Sequence, residues 1–256
     1  MVGERKFSSS FKISTQMLNE MDIVKLFSVA QGMSAIQRYS QLHLLKSESV
    51  MEHTGFVCLF TYILCNEINS VSLHNDKLDV GVALQKAIVH DIDEVVTGDI
   101  PRPTKYYNKE SEKIFNEISE AGIDQIIKEL EIKNNNMKKD WQNSKKEKEG
   151  LIVAFADLSS VIYKLWEEIV MIKNMKLFRQ SEEVTSYLIN FEKNIKEDSF
   201  LPEGRRFTIK QKYVIYTAIE QLYSILHQIA KMPDPIHGTF RSFEAETIER
   251  KHGKQI

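Results

Sequence analysis

The chain has 256 residues, of which 42% are hydrophobic and 27% charged, and its net charge is −2. That length allows a sizeable core, the composition is that of an ordinary folded domain, and the near-neutral balance excludes the global basic field of a nucleic-acid binder. Ten glycines, five prolines and long Leu/Ile/Lys/Glu-rich runs favour an all-helical protein over a sheet protein.

Residues 1–15 read as a polar lead-in without an apolar signal region. Met17, Leu18, Met21, Val24, Leu26 and Phe27 recur at helical spacing, which predicts a helix from Gln16 to Ala30 broken by Gly32. A second short helix is expected to hold Ile36, Tyr39, Leu42 and Leu45 and to carry Arg38 with it. Ser49-Val50-Met51-Glu52 is a capping-box pattern, which puts His53 in the first turn of a helix running to about Ile68. The polar stretch Asn69 to Asp79 reads as a loop. The next helix holds Val80, Val82, Ala83, Leu84, Ala87, Ile88 and Val89 and is expected to end near Gly98, with Pro101 and Pro103 blocking continuation.

Residues 104–112 read as a loop, followed by a helix from about Glu112 to Ile132. The Lys/Asn-rich segment 133–149 reads as a solvated, mobile connection, with a phosphate-attracting arm as its functional alternative. Gly150 to about Lys176 is the most apolar helix of the second half, and Asp157 lies inside its stripe. A further helix is expected from Glu182 to Lys196. Thr208-Ile209-Lys210-Gln211 is a second capping-box pattern, opening a last helix to about Lys231, and Pro233 and Pro235 end it. The organisation is one helical domain over 16–232 with a polar tail over 233–256. Cys58 and Cys65 read as core thiols, two helical turns apart and too distant for a disulfide within one helix. No run approaches the ~18 apolar residues of a membrane span, so a cytoplasmic protein with no membrane partner is expected.

Four residues stand out chemically. His53, His90, Asp91 and Asp157 lie on three apolar segments. Imidazole nitrogens and carboxylate oxygens suit borderline to hard divalent ions, and no local zinc-finger spacing exists, so a site would have to be assembled between helices. Asp157 carries the argument, because a carboxylate in an apolar stripe needs a partner. Adjacent helical residues diverge by about 100°, so His90 and Asp91 could share an ion only at a junction of helices. Each residue alone also has a structural reading, as a surface or core side chain. Glu94, four residues after His90, is placed to handle protons on a water at the metal. Arg38 could clamp a phosphate through its planar fork. Asp99, past Gly98, is unfavourable at a helix C-terminus and implies a partner such as a sugar hydroxyl or a cation.

In this order the residues resemble the HD-domain metal-dependent phosphohydrolases, most closely the YfbR-like 5′-deoxynucleotidase family. The resemblance rests on Arg38-Tyr39, on Ser49 to His53, on the run His90-Asp91-Ile92-Asp93-Glu94-Val95-Val96-Thr97-Gly98-Asp99-Ile100-Pro101-Arg102-Pro103-Thr104-Lys105, and on Ala156-Asp157. It covers about residues 30–175. It implies an all-α HD bundle, here with extra C-terminal helices, and a homodimer. It also implies a divalent cofactor (Co, Mn, Mg or Zn) on His53, His90, Asp91 and Asp157, catalytic roles for Glu94 and Arg38, and nucleotide contacts from Asp99, Arg38 and Tyr39. The implied activity is phosphate removal from (deoxy)nucleoside 5′-monophosphates. A dNTP triphosphohydrolase and a non-catalytic nucleotide-binding HD scaffold are the alternatives. The family often carries tryptophan where this chain has Tyr39, which bears on rejection of a ribose 2′-hydroxyl. Tyr39 has a second reading as a core residue, spaced with Ile36 and Leu42.

Overall fold

The computed structural model describes residues 23–133, 136–198 and 200–233; the lead-in, residues 16–22 of the first expected helix and the tail beyond 233 lie outside them. Among the described residues the protein is all-helical, with no strand and a single isolated bridge, Gln37 to Ser49. The helices are α1 (Ile23–Ala35), α2 (Val50–Ser70), α3 (Val80–Val89), α4 (Glu94–Thr97), α5 (Arg102–Lys105), α6 (Lys109–Glu129), α7 (Asn136–Gln142), α8 (Glu147–Trp166), α9 (Phe178–Glu197) and α10 (Ile209–Ala230). Short 3-10 turns lie at His74–Asp76, Met175–Leu177 and Glu203–Arg205, and a π-turn at Glu167–Met171 follows α8. No described helix is long and apolar enough to cross a membrane.

α8 organises the bundle. It packs against α2, α3, α9 and α10, so it is buried on nearly every face. Leu151, Ile152, Phe155, Ile162 and Leu165 enter a core shared with Leu188 and Ile195 of α9 and with Ile215, Ile219, Tyr223 and Leu226 of α10. Each such aliphatic side chain contributes about 1.5–3 kcal/mol by leaving water. The C-terminal helices expected beyond the common bundle therefore complete the core around α8. Beneath the candidate site lies a smaller layer of Val57, Ala87, Val153 and Ala156. Val57 is one turn after His53, Ala87 one turn before His90, and Val153 one turn before Asp157. Small side chains at these positions let three helices approach closely.

Four expectations are corrected. Gly32 does not break α1, which runs to Ala35; a Cβ at Gly32 would stand 2.8 Å from Val95 Cγ1, so glycine admits the close approach of α4. Residues 36–49 form a loop instead of a second short helix. The Arg38 N–H donates to Glu48 O at 2.8 Å, the Val50 N–H donates to Ile36 O at 3.0 Å, and Tyr39 has φ 58°, a left-handed conformation no helix continues through. The helix that opens at Val80 stops at Val89 instead of reaching Gly98. Segment 133–149, read as a solvated connection, contains α7. Met137 and Trp141 of α7 pack on a core of Val89, Ile92, Ile123 and Ile126, and Trp141 Nε1 donates to Asp93 Oδ1 at 2.9 Å.

Candidate metal centre

His53 is placed by the helix start that precedes it. Ser49 Oγ accepts the Glu52 N–H at 3.2 Å, and the Glu52 carboxylate accepts the Ser49 N–H at 2.7 Å, a closed capping box. The buried stripe of α2, Val50, His53, Thr54, Val57 and Thr61, lies toward its packing partners α3 and α8, so His53 is fully buried. His90 is the C-cap of α3. Beyond it the N–H groups of Ile92, Glu94 and Val95 donate to the carbonyls three residues back, Val89, Asp91 and Ile92, at 3.1–3.2 Å. This tightened turn is where the expected continuous helix breaks, and it brings His90 and Asp91 to the same point.

One donor atom from each of His53, His90, Asp91 and Asp157 lies within 4.8 Å of all the others. His53 Nε2 is 3.4 Å from Asp91 Oδ2 and 3.2 Å from Asp157 Oδ1, and His90 Nε2 is 3.1 Å from Asp91 Oδ2 and 3.2 Å from His53 Nε2. Ligands about 2.0–2.1 Å from a tetrahedral ion stand about 3.4 Å apart, so the cluster has the size of a coordination shell. The tautomers fit the same purpose. Ala87 O accepts from His90 Nδ1 at 2.7 Å, and Ser160 Oγ bonds His53 Nδ1 at 2.8 Å. Assigned from these bonds, both Nε2 atoms present lone pairs, facing each other beside two carboxylates. Such a set demands a cation. Burial and Arg38 push the His53 pKa down, yet Asp157 and Asp91 outweigh them and leave it raised. Against the cost of burial, His90 and His53 hold Asp91 well below the usual carboxylate range, and Lys145 and His53 do the same for Asp157. The donor set suits a divalent metal.

The other expected site residues surround this tetrad. Arg38 is buried; its Nη1 donates to Asp91 Oδ2 at 3.3 Å, while its Nε is buried without a hydrogen-bond partner and lies 3.8 Å from Glu48 Oε1. Tyr39 is half-buried and belongs to none of the apolar clusters among the described residues. Its ring centroid is 5.1 Å from the Arg38 guanidinium carbon, and its hydroxyl is buried without a partner. Asp99 Oδ2 accepts the Tyr39 N–H at 2.5 Å and so pins the left-handed residue. Glu94 has a buried Oε2 without a partner, and its pKa is pushed up to about 10 by burial, then by Asp91, Asp99 and Asp93, against Arg38. Three unpartnered polar atoms, on Arg38, Tyr39 and Glu94, thus cluster around the tetrad.

Sequence reasoning missed three participants. Ser160, one turn after Asp157, orients His53. Glu48 has Oε1 3.7 Å from His53 Nδ1. Lys145 reaches Asp157 Oδ2 with its Nζ at 2.5 Å. It lay in the Lys/Asn-rich run, where nothing marks one lysine from its neighbours.

A family model described as 5′-deoxynucleotidase YfbR-like matches residues 25–204. The 5′-deoxynucleotidase of Shewanella oneidensis is 37% identical over 93 residues, 36% of this chain and 47% of that protein. A 5′-deoxynucleotidase of Pasteurella multocida is 30% identical over 104 residues, 40% of this chain and 51% of that protein. The chain thus spans about half the length of the curated relatives it matches. Among solved structures, an HD-domain phosphohydrolase from Listeria innocua superposes with a TM-score of 0.58 at 17% identity, over 91% of this chain and 99% of that one. The fold is that of an HD-domain helical bundle.

Proposed function

The chain belongs to the YfbR-like 5′-deoxynucleotidase family, and on that premise we propose that it is a metal-dependent phosphomonoesterase acting on (deoxy)nucleoside 5′-monophosphates. One observation carries the reading. Two imidazole nitrogens and two carboxylates meet in one shell, with an incompletely satisfied arginine on one of the carboxylates. His53, His90, Asp91 and Asp157 would hold the cation, with cobalt, manganese, magnesium and zinc all compatible with nitrogen and oxygen donors. A divalent cation there supplies Lewis-acid polarisation of the phosphoryl group and acidifies water.

The chain's own residues do the rest. Arg38 binds the phosphoryl oxygens with donors that Asp91 leaves unused. Glu94 moves a proton at the unpartnered Oε2: ionised, it takes one from the attacking water, and protonated, it gives one to the leaving 5′-oxygen. Tyr39, held by Asp99, closes the site on its sugar side.

The partner and location readings extend from this. Phe56, Leu59, Phe60 and Ile63 recur along one face of α2 and, with Ile88 of α3, are 39–58% exposed; an apolar stripe of this kind is where a second copy of the chain would pack. Leu59→Asp should then shift a dimer to monomer in sedimentation. The free thiols Cys58 and Cys65 fit a reducing cytoplasm.

The deciding experiment is a nucleotide panel with Mn²⁺, Co²⁺, Mg²⁺ and Zn²⁺, reading the released product. Orthophosphate from monophosphates supports the proposal. Triphosphate released from dNTPs replaces it with triphosphohydrolysis, and bound metal without turnover on any nucleotide leaves a binding scaffold.

A further inference from the structure

We propose that Lys145 is a phosphate-binding residue of this site, a second cation that takes the phosphoryl group from the Asp157 side as Arg38 does from the Asp91 side. The inference rests on the phosphomonoester reading above. Its first support is position. Lys145 Nζ lies 2.5 Å from Asp157 Oδ2, while the other oxygen, Oδ1, is the one 3.2 Å from His53 Nε2. The lysine therefore occupies the carboxylate oxygen turned away from the tetrad and need not leave when the other oxygen binds an ion. An ammonium has three N–H donors, and Asp157 accepts one.

The second support is access. The Lys145 side chain is 44% exposed, against 18% for Asp157 and 9% for Arg38. A lysine serving only to neutralise Asp157 gains nothing from facing solvent; one that meets an incoming anion requires it. A divalent ion offsets the two carboxylate charges, which leaves Arg38 and Lys145 to meet a phosphate dianion.

The third support is construction. The segment 143–147 is held from beneath. Lys86 of α3, 2% exposed, donates to Lys146 O at 3.2 Å and to Glu147 Oε2 at 2.7 Å. A Cβ at Gly150 would stand 2.8 Å from Asn143 O and 3.1 Å from both Ser144 O and the Lys145 carbonyl carbon. Glycine thus lets this segment sit directly on the α8 backbone. Glu147, which ends the segment, takes a left-handed φ of 62°, a strained conformation for a residue with a side chain. A buried ammonium, a bare glycine and a strained residue together fix the backbone of the lysine that reaches Asp157.

The test is a titration of the metal-loaded protein with inorganic phosphate, followed by kinetics on a monophosphate, for wild type, Lys145→Ala, Lys145→Met and Lys145→Arg. We expect phosphate affinity to weaken about tenfold in the Ala and Met variants. KM should rise by a similar factor while kcat falls less, metal content should stay unchanged, and Lys145→Arg should recover most of the loss. Wild-type phosphate affinity in both the Ala and Met variants overturns the proposal, as does a wild type that binds no phosphate. Loss of metal on removing Lys145 also overturns it, because the lysine would then merely position Asp157. The titration needs no turnover. If no nucleotide is hydrolysed and the variants still lose phosphate, the activity reading fails and the role of Lys145 stands.

Discussion

Two segments each deliver one cation to the tetrad, on opposite plans. Residues 36–49 bury theirs. Arg38 is 8% exposed, and the loop is clamped far from it. The buried Glu168 in the π-turn accepts the Leu45 and Lys46 N–H groups at 3.0 and 2.8 Å, Asn174 Nδ2 donates to His43 O at 2.8 Å, and Lys164 Nζ donates to Lys46 O at 2.7 Å. Segment 143–147 leaves the side chain of its lysine 44% exposed and hides its anchors, Lys86 and Gly150, instead. The difference separates what mutation can do. The Arg38 loop is part of the interior, so perturbing it touches fold and site together. Lys145 can lose its charge with little consequence for packing.

The largest effect should come where the two plans meet. Asp157→Ala removes an expected metal ligand and the partner of Lys145 at once, and should abolish both metal binding and hydrolysis. Metal analysis of the purified variant beside its nucleotidase assay checks this. Full metal occupancy in Asp157→Ala would remove the tetrad from the mechanism and reduce Lys145 to a surface ion pair.

Next is Glu94, which neither segment carries but whose pKa Arg38 pulls down. Glu94→Gln should keep the metal and lose turnover by on the order of 10²-fold, the scale of general acid–base help. A second readout follows from its pKa. The folded value, about 10, lies above the ordinary 4.5. The stability tied to that proton is therefore present below about pH 4.5 and lost as the pH rises toward 10. Asp91 and Asp157 act oppositely, but only at acid pH, because their values are lowered. Metal-free Glu94→Gln should thus gain stability over wild type between pH 5 and 9, by about 1 kcal/mol or more at the alkaline end. Parallel urea-melt curves for the two proteins across that range would contradict the burial argument.

Glu168→Gln sharpens the comparison directly, because it loosens one segment and spares the other. It replaces an acceptor of two backbone N–H groups and the 3.4 Å ion-pair partner of Lys164 by a neutral amide. A stability loss of about 1–3 kcal/mol is expected, with kcat/KM falling through a loosened Arg38. Phosphate binding should retain its full dependence on Lys145. If the Lys145 contribution falls as well, the two segments are coupled and the contrast between them is wrong.

Legibility differed between the two segments for physical reasons. Ser49 and Glu52 announced the α2 start because a capping box is a local bond between residues three apart, and it placed His53 correctly. The tetrad could be assembled on paper because a carboxylate among apolar residues needs a partner. The 36–49 loop was misread because Ile36, Tyr39, Leu42 and Leu45 recur every three residues. That spacing imitates a helix, while the bonds that decide the loop, to Asp99, Glu168 and Asn174, come from residues 60 to 131 positions away. The end of α3 at Val89 was hidden because the apolar pattern continues unbroken through Ile92, Val95 and Val96. Lys145 was invisible for a different reason. A run of lysines looks solvated whichever of them reaches the site, and the departures from that composition were Met137 and Trp141, which dock α7 on the core.

The smallest effect concerns the sugar, and it tests what the Arg38 loop presents to the substrate. Tyr39 has its backbone fixed by Asp99, its ring beside Arg38 and its hydroxyl unpartnered. A ring that packed against the ribose C2′ edge would reject a 2′-hydroxyl by bulk. Tyrosine has less bulk than tryptophan, and its free hydroxyl could bond a 2′-OH that tryptophan would exclude. Discrimination between dAMP and AMP should therefore be weak in this chain and sharpen in Tyr39→Trp by on the order of 1 kcal/mol in relative kcat/KM, the size of one pocket contact. Tyr39→Phe separates the two contributions. It keeps the ring and deletes the hydroxyl, so it should lower activity on AMP and spare dAMP. Both variants preserve the bond from the residue-39 N–H to Asp99, so a change in ratio reports the side chain and not the loop. An unchanged ratio in both would take Tyr39 off the sugar and leave Asp99, whose Oδ2 is the oxygen that holds the Tyr39 N–H, as the next residue to substitute.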